Sequence, residues 1–198
     1  MSIFNMRLIL GSSSQFRRAV MDELGFAYDV MAPEIDEKVI RLDDPDALVL
    51  AIAHAKADAL VRAVASDDEA LIITSDQVVV WNGEIREKPR DREEAKRFIM
   101  SYGEHPAVII NGLVVTHVPS GKRVESVSAM HVWYMPIPEL AAEEILDTSD
   151  VMFCAGGLQT EHPLFRHFMF HTDGTDDHAM GLPKDELLQL LVKQNYKI

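Results

Sequence analysis

Residues 70–81, Ala70-Leu71-Ile72-Ile73-Thr74-Ser75-Asp76-Gln77-Val78-Val79-Val80-Trp81, place a polar tetrad between two short apolar runs. Each run has the length and the branched side chains of a buried strand. Asn82-Gly83 then turns the chain back into Glu84-Ile85. Thr74 to Gln77 reads as an interruption between the two strands. A carboxylate so close to buried strands costs on the order of several kcal/mol unless it is paired, hydrogen-bonded or bound to a metal. Asp76 is therefore the leading catalytic candidate, with an Asx turn at a strand end as the alternative.

Upstream, Arg7-Leu8-Ile9-Leu10 reads as a strand, Gly11-Ser12-Ser13-Ser14 as a loop, and Phe16 to Leu24 as a helix closed by Gly25. Such a turn presents backbone N–H groups at the positive end of a helix dipole, where phosphate binds well. No Gly-Lys-Ser/Thr follows, so it is not a P-loop, and a plain strand-to-helix loop is the other reading. The alanine-rich stretch from Asp44 to about Ser66 reads as a helix, capped by Asp43 or Asp44 with Pro45 in its first turn. His54, Asp58 and Arg62 make its wet face. At about 100° per residue, Lys56 falls on the apolar stripe of Val49, Ile52, Ala53 and Leu60. Either its stem snorkels past the edge of that stripe, or the lysine faces something that needs a cation.

Downstream, Asp91 to Ser101 reads as a helix, Val108 to His117 and Val124 to Tyr134 as paired strands, and Pro138 to Leu146 and Pro183 to Val192 as helices. Strands and helices mix without strict alternation, which predicts an α/β (mixed α+β) domain around a central mixed sheet flanked by helices. One domain over residues 1–198 is expected, with residues 103–135 a candidate smaller lobe walling a cleft between two lobes.

The 19 Lys and Arg against 32 Asp and Glu give a net charge of −13, and 47% of the residues are hydrophobic. Disorder is disfavoured, and nucleic acid and anionic membranes are poor partners because both are polyanions. A small anionic ligand is not excluded, since clustered Arg and Lys or a divalent cation can reverse the sign of one cleft. Cys154 is the single cysteine, which suits a reducing compartment. With no signal h-region and no apolar run of membrane-spanning length, a soluble cytoplasmic protein is expected.

Gly11-Ser12-Ser13-Ser14 with Arg17-Arg18, Ile35-Asp36-Glu37, Ala55-Lys56-Ala57, Ser75-Asp76-Gln77-Val78-Val79, Glu87-Lys88-Pro89, Ala155-Gly156-Gly157 with Glu161, and Gly181-Leu182-Pro183 occur in that order. None is specific alone. In register over nearly the whole chain, the set resembles the Maf family of nucleoside triphosphate pyrophosphatases, which is related in fold to inosine triphosphate pyrophosphatases. The resemblance implies hydrolysis between the α and β phosphates of a nucleoside triphosphate, giving a monophosphate and pyrophosphate with Mg²⁺ or another divalent cation such as Mn²⁺. It implies that Asp76 and Glu37 are catalytic carboxylates and metal ligands, that Lys88 is a catalytic cation, and that Ser12, Arg17, Lys56, Gln77 and Glu161 bind substrate. It also implies a homodimer. The family name comes from septum formation, so a nucleotide-binding regulator with little turnover is the competing reading. A pure interaction scaffold would leave Lys56 and Asp76 without a reason.

Three departures narrow the resemblance. Ser14-Gln15-Phe16-Arg17 stands where many members have Ser-Pro-Arg-Arg, Asp76-Gln77 where Asp-Thr is usual, and Glu161 where glutamine is usual. Together they resemble the subfamily that prefers 7-methyl-GTP over dTTP or UTP. Methylation at N7 makes the guanine ring cationic, so an acidic Glu161 on the base edge and an aromatic face would both suit it. Phe16, Trp133 and Tyr134 are the stacking candidates, and a core position in the first helix is the other reading of Phe16. The acidic segment His171 to His178 lacks the spacing of a calcium loop and reads as solvated loop. Cys154 reads as a small buried residue rather than a nucleophile, and His105 and His162, each before proline, as loop punctuation.

Overall fold

The computed structural model describes residues 6–64 and 69–198. Seven strands, β1 Arg7–Leu10, β2 Tyr28–Val30, β3 Ala70–Trp81, β4 Glu84–Arg86, β5 Ala107–Val118, β6 Arg123–Tyr134 and β7 Met169–Thr172, form one mixed sheet. Their order is β2-β1-β3-β5-β6-β7, with β4 also on β3. β1 runs parallel to β2 and β3, whereas the β3–β4 and β6–β7 pairs are antiparallel. The helices are α1 Gln15–Leu24, α2 Pro45–Ala63, α3 Arg92–Ser101, α4 Glu139–Thr148, α5 Pro163–Phe168, α6 Asp176–Ala179 and α7 Lys184–Lys193. None of the described helices is long and apolar enough to cross a membrane.

The chain divides into two compact units, the first made of residues 1–76, 111–128 and 180–198, the second of 77–110 and 129–179. Residues 103–135 are shared between them, 111–128 falling in the first. In the first unit, side chains alternate across the strands. Leu8, Leu10, Leu71 and Ile73 pack with Val20 and Met21 of α1 and Leu187, Leu190 and Leu191 of α7. Ile9, Ala70 and Ile72 pack with Leu60 and Val64 at the end of α2. Covered on both faces, β1 and the first half of β3 are almost wholly apolar.

α1 starts behind Ser14, whose Oγ accepts the Arg17 N–H at 3.4 Å, and stops at Gly25 with φ 72°. Asp44, not Asp43, caps α2. The expected end of that helix near Ser66 lies outside the described residues. The second unit packs Val79, Phe98, Ile99, Tyr102, Ile109, Val132, Ile145 and Phe165 into its own core.

The fold corrects two sequence readings. Thr74 to Gln77 do not interrupt anything, because β3 is continuous from Ala70 to Trp81. The polar side chains of the tetrad find buried partners, so the backbone keeps its ladder: Thr74 Oγ1 donates to the Ala53 carbonyl at 2.9 Å and Ser75 Oγ to the Gly181 carbonyl at 2.8 Å. The segment His171 to His178 is not simply a solvated loop either. It closes β7, carries α6, and buries Asp177.

Candidate active site

In the first unit, five of the sequence-predicted residues come together. Lys56 is only 5% exposed, on the α2 stripe that packs on the sheet. Its Nζ lies 2.8 Å from Asp76 Oδ1, 3.1 Å from Glu37 Oε1 and 3.2 Å from the Ser75 carbonyl. Snorkelling is thereby excluded: the ammonium points inward, at acceptors. Asp76, 7% exposed, reaches the same side of β3 as Thr74, two residues away, as strand alternation requires. Glu37 sits at the start of a 3₁₀ turn, Glu37–Val39, which Asp36 caps, and its side chain is 47% exposed.

Arg17 projects from the first turn of α1. Its Nε donates to the Gly181 carbonyl at 3.0 Å, and its Nη1 to the Ser75 carbonyl at 2.9 Å and to Ser12 Oγ at 3.4 Å. Burial lowers the pKa of its guanidinium, and the negative charges of Asp76 and Glu37 oppose that shift. Arginine titrates so high that it remains a cation. Two cations, Arg17 and Lys56, thus balance two carboxylates. Ser12 is itself buried, and its Oγ also accepts the Ser14 N–H at 3.1 Å. The Ser75 backbone, Ser75 Oγ and the Gly181 carbonyl also belong to the site, and the only sequence signal for them is that both residues lie in the motifs Ser75-Asp76-Gln77 and Gly181-Leu182-Pro183. Gly181 has φ 83°, and a Cβ there would stand 3.1 Å from Arg17 Nε, so the position asks for glycine twice over.

Gln77, Lys88 and Glu161 belong to the second unit. Gln77 Nε2 donates to the His178 and Ala179 carbonyls at 3.0 and 3.1 Å, tying β3 to α6. Lys88 is exposed and Glu161 half-buried. Both act electrostatically on Cys154: burial pushes its thiol up to about 12, Glu161 and Asp150 add to the rise, and Lys88 opposes it. Cys154 is half-buried rather than buried, and its Sγ donates to the Asp150 carbonyl at 3.4 Å. Arg86, which no periodicity marked, is 1% exposed, its guanidinium carbon 4.2 Å from the Trp81 ring centre and 4.5 Å from that of Phe98. Ser101 and Glu84 take its hydrogen bonds, both at 2.8 Å.

Residues 7–194 match the family described as Maf-like protein. The chain belongs to that family. A 7-methyl-GTP pyrophosphatase of Dictyostelium discoideum is 40% identical over 182 residues, covering 89% of this chain and 91% of that protein. A protein of the same name from Idiomarina loihiensis is 33% identical over 184 residues, 93% of this chain and 92% of the other. A third of that name, from Vibrio vulnificus, is 28% identical over 198 residues and 98% of each chain.

Within this Maf-like chain the stacking candidates differ in availability. Tyr134 is buried against Phe165 and Tyr102, with ring centres 5.7 and 6.1 Å away. Trp133 is flanked by His131 at 5.6 Å and His171 at 4.8 Å. Phe16 is half-buried, not a core residue. Among the described residues no three His, Cys, Asp or Glu side chains converge as a metal cage. Asp76 and Glu37 nevertheless aim carboxylate oxygens at one point, where Lys56 Nζ stands. Two carboxylates suit Mg²⁺, which draws its other ligands from water and phosphate.

Proposed function

We propose that this chain hydrolyses the α–β phosphoanhydride bond of a modified nucleoside triphosphate, preferentially 7-methyl-GTP, releasing the monophosphate and pyrophosphate. The observation that carries the reading is the buried Lys56 ammonium held between Asp76 and Glu37 beside Arg17. Such a cluster offers cations for phosphate oxygens and carboxylates for a water and a cation. The names of the relatives support the substrate class.

In this proposal Asp76 orients the attacking water and accepts its proton as the water oxygen bonds to the α-phosphorus and the bond to the bridging oxygen breaks. Glu37 is its acidic partner. Arg17 and Lys56 neutralise the phosphates, Ser12 helps fix the Arg17 fork, and Lys88 contributes a further cation to the leaving pyrophosphate. Asp76 and Glu37 would hold a divalent cation, Mg²⁺ in our reading, whose chemistry is to draw charge from the phosphate oxygens. Glu161 selects a base made cationic by N7 methylation, and Gln77 is a further substrate-binding residue, its orientation fixed by the α6 carbonyls. One catalytic domain, dimeric and cytoplasmic, is the setting we propose for it.

Incubation with 7-methyl-GTP, UTP and dTTP in Mg²⁺ should give pyrophosphate as the first product, fastest from 7-methyl-GTP. Asp76→Asn should lower turnover by about a thousandfold or more without loss of fold by circular dichroism. Orthophosphate as first product would sink the assignment, and an unchanged ratio of 7-methyl-GTP to UTP turnover in Glu161→Gln would remove Glu161 from base selection.

A further inference from the structure

A lysine ammonium has three N–H groups, and Lys56 has three acceptors in reach: Asp76 Oδ1 at 2.8 Å, Glu37 Oε1 at 3.1 Å and the Ser75 carbonyl at 3.2 Å. Two carboxylates and a carbonyl oxygen form the donor set of a hard cation. Resting on the reading that Asp76 and Glu37 take the divalent cation, we infer that Lys56 is that cation's stand-in. Its ammonium stands between the two carboxylates and must leave them when the cation binds.

The neighbouring cation cannot do this. The Arg17 guanidinium is fixed to the Gly181 and Ser75 carbonyls and to Ser12, whereas the Lys56 head is a point charge on a flexible stem. The stand-in has two opposed effects. It keeps the buried Asp76 from standing uncompensated before substrate arrives, and it competes with the cation for the same oxygens. The displaced ammonium needs new acceptors, and the phosphate oxygens of an arriving nucleotide supply them. Lys56 thereby couples nucleotide and cation, each favouring the binding of the other.

The test is a titration of Mn²⁺ into nucleotide-free protein, with free Mn²⁺ read by electron paramagnetic resonance. Lys56→Gln should bind Mn²⁺ about tenfold tighter than wild type, and adding Asp76→Asn should abolish the gain. Arg17→Gln is the control for charge alone, because Arg17 feels Asp76 and Glu37 while its hydrogen bonds go to Gly181, Ser75 and Ser12. Because the Arg17 guanidinium does not stand between the two carboxylates, this variant should tighten Mn²⁺ binding clearly less than Lys56→Gln does. Equal gains in the two variants, or none in Lys56→Gln, overturn the inference. A second measurement avoids the variants altogether: saturating Mg²⁺ should move the Lys56 Cε resonance of wild-type protein labelled with ¹³C-lysine, and an unmoved resonance also overturns it. Pyrophosphate release is scored separately. Wild type that turns over 7-methyl-GTP while Lys56→Gln shows no gain loses only the stand-in; an inactive wild type with a tighter Lys56→Gln loses only the pyrophosphatase reading.

Discussion

The Tyr102 hydroxyl donates to the Gly156 carbonyl at 2.5 Å, and the Gly156 N–H is in turn given to the Glu87 carbonyl at 2.9 Å. One phenol on the end of α3 thus fixes the glycine turn, and that turn fixes the residue before Lys88. Gly156 has φ 62°, and a Cβ there would meet Tyr102 Oη at 2.5 Å and Val79 Cβ at 2.7 Å. Gly156→Ala should therefore cost about 3 kcal/mol or more, from backbone strain together with overlap. Tyr102→Phe removes one hydrogen bond and strands a buried carbonyl, for about 1–3 kcal/mol. Urea unfolding curves measure both, and an alanine variant within about 0.5 kcal/mol of wild type would contradict the contact.

Lys56 and Asp76 should show strong energetic coupling. Lys56→Met leaves the Asp76 carboxylate buried without its closest cation, a loss of about 3 kcal/mol. The double variant Lys56→Met with Asp76→Leu should lose clearly less than the sum of the single losses, by about 2 kcal/mol. Additive values across the four-protein cycle would show that the two charges do not depend on one another.

Cys154 offers a chemical probe of Lys88 and Glu161. With its thiol raised to about 12 by burial, alkylation by iodoacetamide at pH 8 should run about a thousandfold slower than for a free cysteine, and should climb about tenfold per pH unit. Glu161→Gln should speed the reaction and Lys88→Gln should slow it, since the negative charge of Glu161 raises the thiol pKa and the positive charge of Lys88 lowers it. The native thiol holds its proton more tightly than the unfolded one. Its stabilising contribution is complete below the unfolded value near 8.5 and is lost as the pH rises towards 12. Fast, pH-independent labelling of the native protein would contradict the burial.

The fold class was legible because both halves of β3, β1 and the capped helices carry strong local signals. Asp76 and Lys56 were legible for the opposite reason, as charges in apolar company, where a cost must be met by a partner. Residues whose partners are distant in sequence carry no such local signal. Thr74 to Gln77 looked like a break because nothing local satisfies them, and their acceptors lie on α2, at Gly181 and on α6. β2 is three residues with two of them exposed, so no alternation announces it, and only pairing with β1 makes it a strand. Arg86 was invisible in the same way, since its aromatic surroundings come from β3 and α3.

The Arg17 guanidinium is anchored by residues far from it in the chain. Its Nε partner, the Gly181 carbonyl, is 164 positions away, and Ser75 Oγ uses that same carbonyl across 106. α1, α2 and β3 all precede residue 181 in the chain, so each can be present while Arg17 Nε still lacks its acceptor. A fragment ending before Gly181 would leave Arg17 Nε and Ser75 Oγ without their shared acceptor, and on the proposed reading it would not turn over nucleotide however much of its sheet had assembled.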